Sequence, residues 1–235
     1  MKKILRYLFY IIVITVLFLG VFLFYETHAV SKSLTDNKGE YVVLLHGLGR
    51  TSFSMQKLAT SLSRKGYRVI NFNYASRSDT IENLVKKDLI NELDKKYTDK
   101  DRKINFVTHS MGGVMVRYYL ATNEVENLHR VVMLAPPNKG SETADKWANN
   151  RFVNFFMGPA LRELTTNENS FVNKLPLPNY DVGIIAGKYD EKVSQERTAL
   201  ENMKDFLVVE REHTWIMNGD EVISAITKFL NIGQF

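Results

Sequence analysis

The sequence predicts an α/β protein in which a mostly parallel β-sheet carries helices on both faces. From residue 41 onward, short apolar runs alternate with amphipathic helical patterns, and this alternation is typical of a parallel sheet. The runs YVVLL and RVVMLA are apolar almost throughout, as expected for strands that are buried on both sides. Hydrophobic residues make up 45% and charged residues 24% of the chain, which fits a folded globular protein.

Six short apolar runs predict the strands, and a 3.6-residue periodicity predicts the helices between them. The strands are expected at residues 41–45, 68–72, 104–108, 130–135, 182–186 and 206–209. Helices are expected over residues 53–65, 79–97, 112–121 and about 220–230. In the first helix Leu58, Ala59 and Leu62 share one face, and Gly66 follows as a residue that readily ends a helix.

Residues 138–178 interrupt the alternation between the fourth and fifth strands. Their large apolar side chains follow helical patterns: Trp147, Phe152, Phe155, Phe156, Leu161 and Leu164. We interpret this segment as a small helical cap inserted over the carboxyl edge of the sheet. An ordinary crossover helix with long loops is the alternative.

Residues 1–30 predict an N-terminal transmembrane helix that acts as a signal anchor. Residues 8–25 carry no charge over a length that can cross a bilayer, and Lys2, Lys3 and Arg6 precede them. Basic flanks stay in the cytoplasm, so residues 41–235 are expected outside it, in the periplasm or extracellular space, behind a polar linker at residues 31–40. A cleaved signal peptide is the alternative.

The composition excludes several kinds of site. The chain has no cysteine, so it forms no disulfide and offers neither a thiolate nucleophile nor a cysteine zinc site. Its net charge is +5, without a run of Lys and Arg interleaved with aromatic residues. We therefore expect no nucleic-acid partner.

The segment THSMGG at residues 108–113 predicts a nucleophilic serine, Ser110. It follows the strand INFVT and opens a helix, and a serine on such a sharp turn projects its hydroxyl above the sheet. The pattern G-x-S-x-G begins here with Thr108 instead of glycine, so a bulkier residue must pack where the turn is tight.

The segment HGLGR at residues 46–50 follows the first strand and predicts one half of an oxyanion hole. In acyl-transfer enzymes one oxyanion amide comes from a loop near the start of the sheet, and the other from the residue after the nucleophile. Leu48 and Met111 are the expected donors.

A serine nucleophile needs a base and an orienting acid. His213 is the one histidine that lies between the last predicted strand and the last helix, in keeping with the chain order serine, acid, histidine. Asp190 lies just after the strand VGIIA and is the expected acid, with Glu191 as its rival.

Together, the segments VVLLHGLGR, FVTHSMGG, VVMLAPPNKGS, GIIAGKYDEKVS and EHTWIM resemble the bacterial α/β-hydrolase family of lipase- and esterase-like proteins. The resemblance extends over about residues 41–230. It implies Ser110 as nucleophile, Asp190 as acid, His213 as base, and the amides of Leu48 and Met111 as the oxyanion hole.

These expectations describe a membrane-anchored serine hydrolase that cleaves a small-molecule or lipid ester through an acyl-enzyme. The mechanism needs no metal and no cofactor, and Phe152, Phe155 and Phe156 are expected to bury an acyl chain or to fill the core under the cap. An acyltransferase or thioesterase with the same triad is one alternative. A catalytically inactive binding module on the same fold is another. The sequence leaves the oligomeric state open.

Overall fold

Six parallel strands form one sheet in the computed structural model, which describes residues 7, 10, 11, 13–15, 17 and 37–235. The strands are β1 (Tyr41–Leu45), β2 (Arg68–Phe72), β3 (Ile104–His109), β4 (Leu128–Leu134), β5 (Val182–Gly187) and β6 (Asp205–Val209). Each begins and ends within two residues of its predicted position. Their order across the sheet is β2-β1-β3-β4-β5-β6, and every neighbouring pair is parallel.

Helices connect the strands. They are α1 (Gln56–Arg64), α2 (Ile81–Leu84), α3 (Ile90–Lys96), α4 (Met111–Thr122), α5 (Glu142–Ala148), α6 (Arg151–Met157), α7 (Ala160–Glu163), α8 (Gln195–Thr198) and α9 (Asp220–Ile232). A π-helical turn at Val85–Leu89 joins α2 to α3, so the helix predicted over residues 79–97 is one helical stretch with a widened middle. Short 3₁₀ turns lie at Ser52–Met55, Val172–Lys174 and Ile216–Asn218.

The core has two layers, one on each face of the sheet. Val42 and Leu44 of β1 pack into the layer that α1 and α9 cover. Val43 and Leu45 point to the opposite face and pack into the layer that α2, α3 and α4 cover. All five residues of β1 are fully buried, so the prediction of a parallel sheet covered on both faces is confirmed.

The strand order reverses direction between β1 and β3. The chain leaves β1 to form β2 on one side and then returns to form β3 on the other side. Loops that follow two such strands diverge and leave a crevice at the carboxyl edge, which is where open α/β sheets bind ligands. The loop after β1 begins at His46, and the turn after β3 holds Ser110.

Residues 138–178 contain α5, α6 and α7 between β4 and β5. Side chains cap two of these helices: Ser141 Oγ accepts from the Ala144 N–H at 3.2 Å, and Asn150 Oδ1 accepts from the Phe152 and Val153 N–H groups. We call this segment the insertion.

The aromatic residues of α6 correct one expectation. Phe152, Phe155 and Phe156 were expected either to bury an acyl chain or to fill the core under the cap, and at 73%, 83% and 50% exposure they do not fill the core. Their rings pack on one another, with Phe156 between the other two. The buried face of the insertion is instead formed by small and aliphatic side chains of α5 and α7 together with Leu164: Ala144, Ala148, Ala160, Leu161 and Leu164.

The predicted signal anchor at residues 1–30 and most of the linker at residues 31–40 lie outside the described residues, apart from isolated positions. In the part of the chain that the structure describes, no helix has both the length and the apolar character of a membrane span.

Candidate active site

Ser110 occupies a strained turn between β3 and α4. Its φ of 53° and ψ of −125° lie in a region that residues with a side chain rarely adopt, so the surrounding contacts must hold it there. The Ser110 N–H donates to the Leu134 carbonyl at 2.9 Å, and the Ser110 carbonyl accepts from the Gly113 N–H at 2.9 Å. The turn directs the Ser110 side chain into the cavity at the carboxyl edge.

Two glycines after Ser110 allow this turn to close. A Cβ on Gly112 would lie 2.7 Å from the Leu45 carbonyl oxygen, so only glycine lets α4 approach the end of β1 this closely. A Cβ on Gly113 would lie 3.2 Å from Thr108 Oγ1. The missing side chain at Gly113 therefore makes room for Thr108, and the turn at Ser110 keeps its geometry despite the threonine.

A continuous hydrogen-bonded chain links three of the predicted residues. Ser110 Oγ lies 3.0 Å from His213 Nε2, and His213 Nδ1 lies 2.7 Å from Asp190 Oδ2. Because a carboxylate only accepts, Nδ1 carries the proton, and the lone pair of Nε2 faces the serine hydroxyl. This is the tautomer that a general base for Ser110 requires.

Both oxygens of the Asp190 carboxylate are hydrogen-bonded, and the side chain is almost fully buried. Its Oδ1 accepts from the backbone N–H groups of Lys192 and Val193 at 2.8 and 2.9 Å, while Oδ2 accepts from His213. The side chains of His213 and Asp190 are 6% and 1% exposed. Glu191 is exposed to solvent, so the structure brings Asp190 and not its rival to the histidine.

The loop after β1 aligns the peptide between Gly47 and Leu48. The Gly47 carbonyl accepts from His46 Nδ1 at 2.9 Å and from the Arg50 N–H at 3.2 Å. In a trans peptide the N–H points away from the carbonyl, so the Leu48 N–H faces away from these donors. Within residues 37–235 neither this N–H nor that of Met111 has a protein acceptor. A Cβ on Gly47 would lie 3.0 Å from Ser110 Cβ, which shows how closely the loop approaches the serine.

Two buried histidines support the site without carrying charge. Burial lowers the pKa of His46 to about 4, and burial, together with nearby positive groups, lowers the pKa of His109 well below its usual range. His109 therefore stays neutral, and its Nε2–H donates to the His213 carbonyl at 3.0 Å. This contact fixes the backbone that carries the predicted base. Nothing in the sequence pattern indicated it, because the two residues lie on different loops.

A cavity of about 180 Å³ opens in front of Ser110 and His213. The insertion supplies much of its apolar wall through Met157, Leu161 and Leu164. Arg50 and Lys192 contribute cationic side chains, a feature that the sequence analysis missed. Among the described residues no group of three or more His, Asp and Glu side chains is arranged to hold a metal ion.

Comparison with known proteins agrees with this architecture. A family model described as alpha/beta hydrolase fold matches residues 40–176. No curated protein matches the sequence.

Several solved structures share the fold at low sequence identity. The mature form of Bacillus licheniformis lipase BlEst2 has a TM-score of 0.65 and 19% identity, over 83% of this chain and 93% of that one. This chain spans 50% of the propeptide form of the same lipase. Pyrococcus furiosus esterase Pf2001 has a TM-score of 0.59 and 21% identity, over 83% and 84% of the two chains. The putative non-heme bromoperoxidase BpoC of Mycobacterium tuberculosis H37Rv has a TM-score of 0.63 and 15% identity, over 85% and 95%. At these identities the similarity establishes the fold alone.

Proposed function

We propose that this chain, which belongs to the α/β-hydrolase fold family, hydrolyses carboxylic esters through an acyl-enzyme on Ser110. The observation that carries the proposal is the hydrogen-bonded chain from Ser110 Oγ through His213 to Asp190, with distances of 3.0 and 2.7 Å. The fold hosts many activities, so this geometry and not the fold is the argument. Structures named as a lipase and an esterase are among those it resembles.

The proposed reaction begins with attack of Ser110 Oγ on the ester carbonyl. His213 Nε2 takes the serine proton as the bond forms, and the carbonyl oxygen becomes an oxyanion. The N–H groups of Leu48 and Met111 are the donors proposed to stabilise that oxyanion. His213 then gives its proton to the leaving alcohol. In the second half of the reaction His213 takes a proton from water as the water attacks the acyl-enzyme, and returns it to Ser110 Oγ as the acid leaves.

Asp190 has an orienting role in this proposal. Its carboxylate holds His213 Nδ1–H and stabilises the imidazolium that forms when His213 accepts the serine proton. Because two backbone amides anchor Oδ1, the carboxylate cannot rotate away from the ring without losing those hydrogen bonds. The apolar wall of the cavity suits the acyl part of a small-molecule or lipid ester.

The assignment is tested by hydrolysis of p-nitrophenyl butyrate and by labelling with a fluorophosphonate probe. We expect the wild-type chain to do both, and Ser110→Ala to lose labelling and about 10⁶ in kcat with an unchanged melting temperature. Ser61→Ala on α1 is the control, since its hydroxyl bonds only within its own helix. A Ser110→Ala protein that keeps near-normal turnover would contradict the assignment. An added alcohol that is acylated in preference to water would favour the acyltransferase alternative.

We also propose that the N-terminal segment anchors the hydrolase domain in a membrane with the domain outside the cytoplasm. The uncharged residues 8–25 and the preceding Lys2, Lys3 and Arg6 support this. External protease should degrade the domain in spheroplasts and leave a cytoplasmic marker intact. Protection of the domain would contradict the orientation, and a soluble form beginning near Val30 would indicate a cleaved signal.

A further inference from the structure

Two cationic side chains meet beside the base of the proposed reaction. Arg50 Nη2 donates to the Thr214 carbonyl at 2.9 Å, and Lys192 Nζ donates to Thr214 Oγ1 at 2.9 Å. Thr214 directly follows His213, and all four residues line the cavity in front of Ser110. Within residues 37–235 neither Arg50 nor Lys192 forms an ion pair.

Two carboxylates near this pair, Asp190 and Glu142, bond to other residues. Asp190 accepts from His213 and from two backbone amides, and Glu142 pairs with Arg197 at 2.8 Å. Arg50 and Lys192 are both half-buried, so their charges are only partly solvated. They also lie close to His213, which must become positive during the proposed reaction. Asp190 compensates the charge that forms on His213, so the two cations of the cavity wall, which have no ion-pair partner, favour an anion.

Both cations are fixed in place and keep free donors. The guanidinium of Arg50 lies over the Trp215 ring, 4.6 Å from its centroid, and this cation–π contact helps to hold it. One of the five N–H donors of Arg50 and one of the three of Lys192 are used on Thr214. The remaining donors suit the oxygens of a phosphate or carboxylate.

The position of Thr214 indicates which part of the ester carries the anion. In the proposed reaction His213 delivers its proton to the leaving alcohol, and Arg50 and Lys192 both bond to the next residue, Thr214, in the same cavity. We propose that the substrate is an ester whose alcohol carries an anionic group, such as a glycerophosphate, and that Arg50 and Lys192 bind that group. This inference rests on the proposed ester hydrolysis at Ser110.

A matched pair of substrates tests the inference with the full chain: 1-hexanoylglycerol 3-phosphate and 1-hexanoylglycerol, which differ only in the phosphate. We expect kcat/KM to favour the phosphate ester about tenfold or more, as charge-assisted hydrogen bonds allow. Arg50→Gln and Lys192→Gln should each reduce this ratio of kcat/KM severalfold. A loss of kcat/KM that is the same for both esters does not change the ratio. Arg50→Lys should retain part of the ratio because it keeps the charge.

Lys146→Gln is the matched control. Lys146 is an exposed cation of the insertion that does not line the cavity, so its loss changes the net charge equally and should leave the ratio unaltered. Equal hydrolysis of both esters by the wild type, or equal losses on both in the Arg50 and Lys192 variants, would overturn the inference and leave the serine hydrolase intact. If the chain hydrolyses none of the three substrates (the two glycerol esters and p-nitrophenyl butyrate), the proposed function is overturned, and this inference with it.

Discussion

The end of β3 and helix α6 both contribute to the cavity, but packing constrains them very differently. Every residue of β3 is buried, and the strained turn at Ser110 is held by hydrogen bonds to β4 and within α4. Helix α6 has no buried residue and reaches the cavity only through Met157 at its end. Phe155 on its outer face is 83% exposed.

The proposed catalytic groups and the residues that shape the cavity therefore differ in how strongly packing constrains them. The proposed catalytic groups lie just after strands of the sheet, where hydrogen bonds to neighbouring residues hold each of them, while the insertion contacts the cavity along one face and leaves the other to solvent. Small displacements should therefore be costly at the sheet edge and well tolerated on the outer face of α6. The following predictions, from the largest expected effect to the smallest, test that contrast.

Asp190→Asn should lower kcat for p-nitrophenyl butyrate by about 10⁴, because an amide cannot enforce the tautomer that directs the lone pair of Nε2 to Ser110. Glu191→Gln is the matched control, since the exposed Glu191 has no contact with His213. Steady-state kinetics of the two variants measure the effect. If Glu191→Gln is the more damaged enzyme, Asp190 is not the acid.

Gly47→Ala should lower kcat/KM by about 10², because a displacement of about 1 Å among catalytic groups can cost that much. The new Cβ would lie 3.0 Å from Ser110 Cβ and 3.1 Å from His109 Nδ1, so the loop or the serine must move.

Gly66→Ala is the control for Gly47→Ala. Gly66 has a φ of +93° with nothing within 4 Å of an added Cβ, and it lies between α1 and β2, far from the cavity. Its substitution should cost about 1 kcal/mol of stability through backbone strain and leave kcat unchanged. A Gly47→Ala enzyme with near-wild-type kcat/KM would show that residues at the carboxyl edge of the sheet can move without loss of activity.

Leu161→Ala should lower kcat/KM for p-nitrophenyl octanoate more than for the acetate, by severalfold, since each buried methylene contributes about 0.8 kcal/mol. Leu161 is a buried residue of α7 that lines the cavity. Ala160→Gly, on the same helix but not lining the cavity, controls for general loss of stability. Losses that are equal for every chain length, with a lower melting temperature, would mean that Leu161 serves only the core.

Phe155→Ala should change both kcat/KM and the melting temperature very little, within about 0.5 kcal/mol, as is usual for exposed positions. This reverses the expectation from the sequence, where Phe155 and Phe156 were candidates to hold the acyl chain. A selective loss on long esters would show that the outer face of α6 does contact substrate, and the contrast with the sheet edge would fail.

The strands and the turn at Ser110 were largely predictable because their signals are local. Buried parallel strands are apolar on both faces, so continuous apolar runs such as YVVLL and VGIIAG predict strands directly. The turn at Ser110 was predictable because a strand, a serine, small residues and a helix follow one another in a few positions. The choice between Asp190 and Glu191 was not settled by sequence, because it depends on which side chain turns inward after β5.

The aromatic residues of α6 show where such reasoning fails. Phe152, Phe155 and Phe156 have a helical spacing, which predicts a helix but does not state which of its faces is covered. Burial depends on what packs above the helix, and that is a property of the assembled fold. The accommodation of Thr108 by Gly113 is similar, since the threonine suggested a strained turn until the space beside it was known.

Local order along the chain was sufficient to predict the parallel sheet and the strand–turn–helix that carries Ser110, because each depends on residues within a few positions of one another. Only the tertiary structure shows which residues that are distant in sequence lie side by side. Arg50 follows β1 and Lys192 follows β5, yet both reach Thr214 after β6, because parallel strands bring their carboxyl ends to one edge of the sheet. Their shared position depends on strand order and loop path, and no spacing in the sequence encodes it.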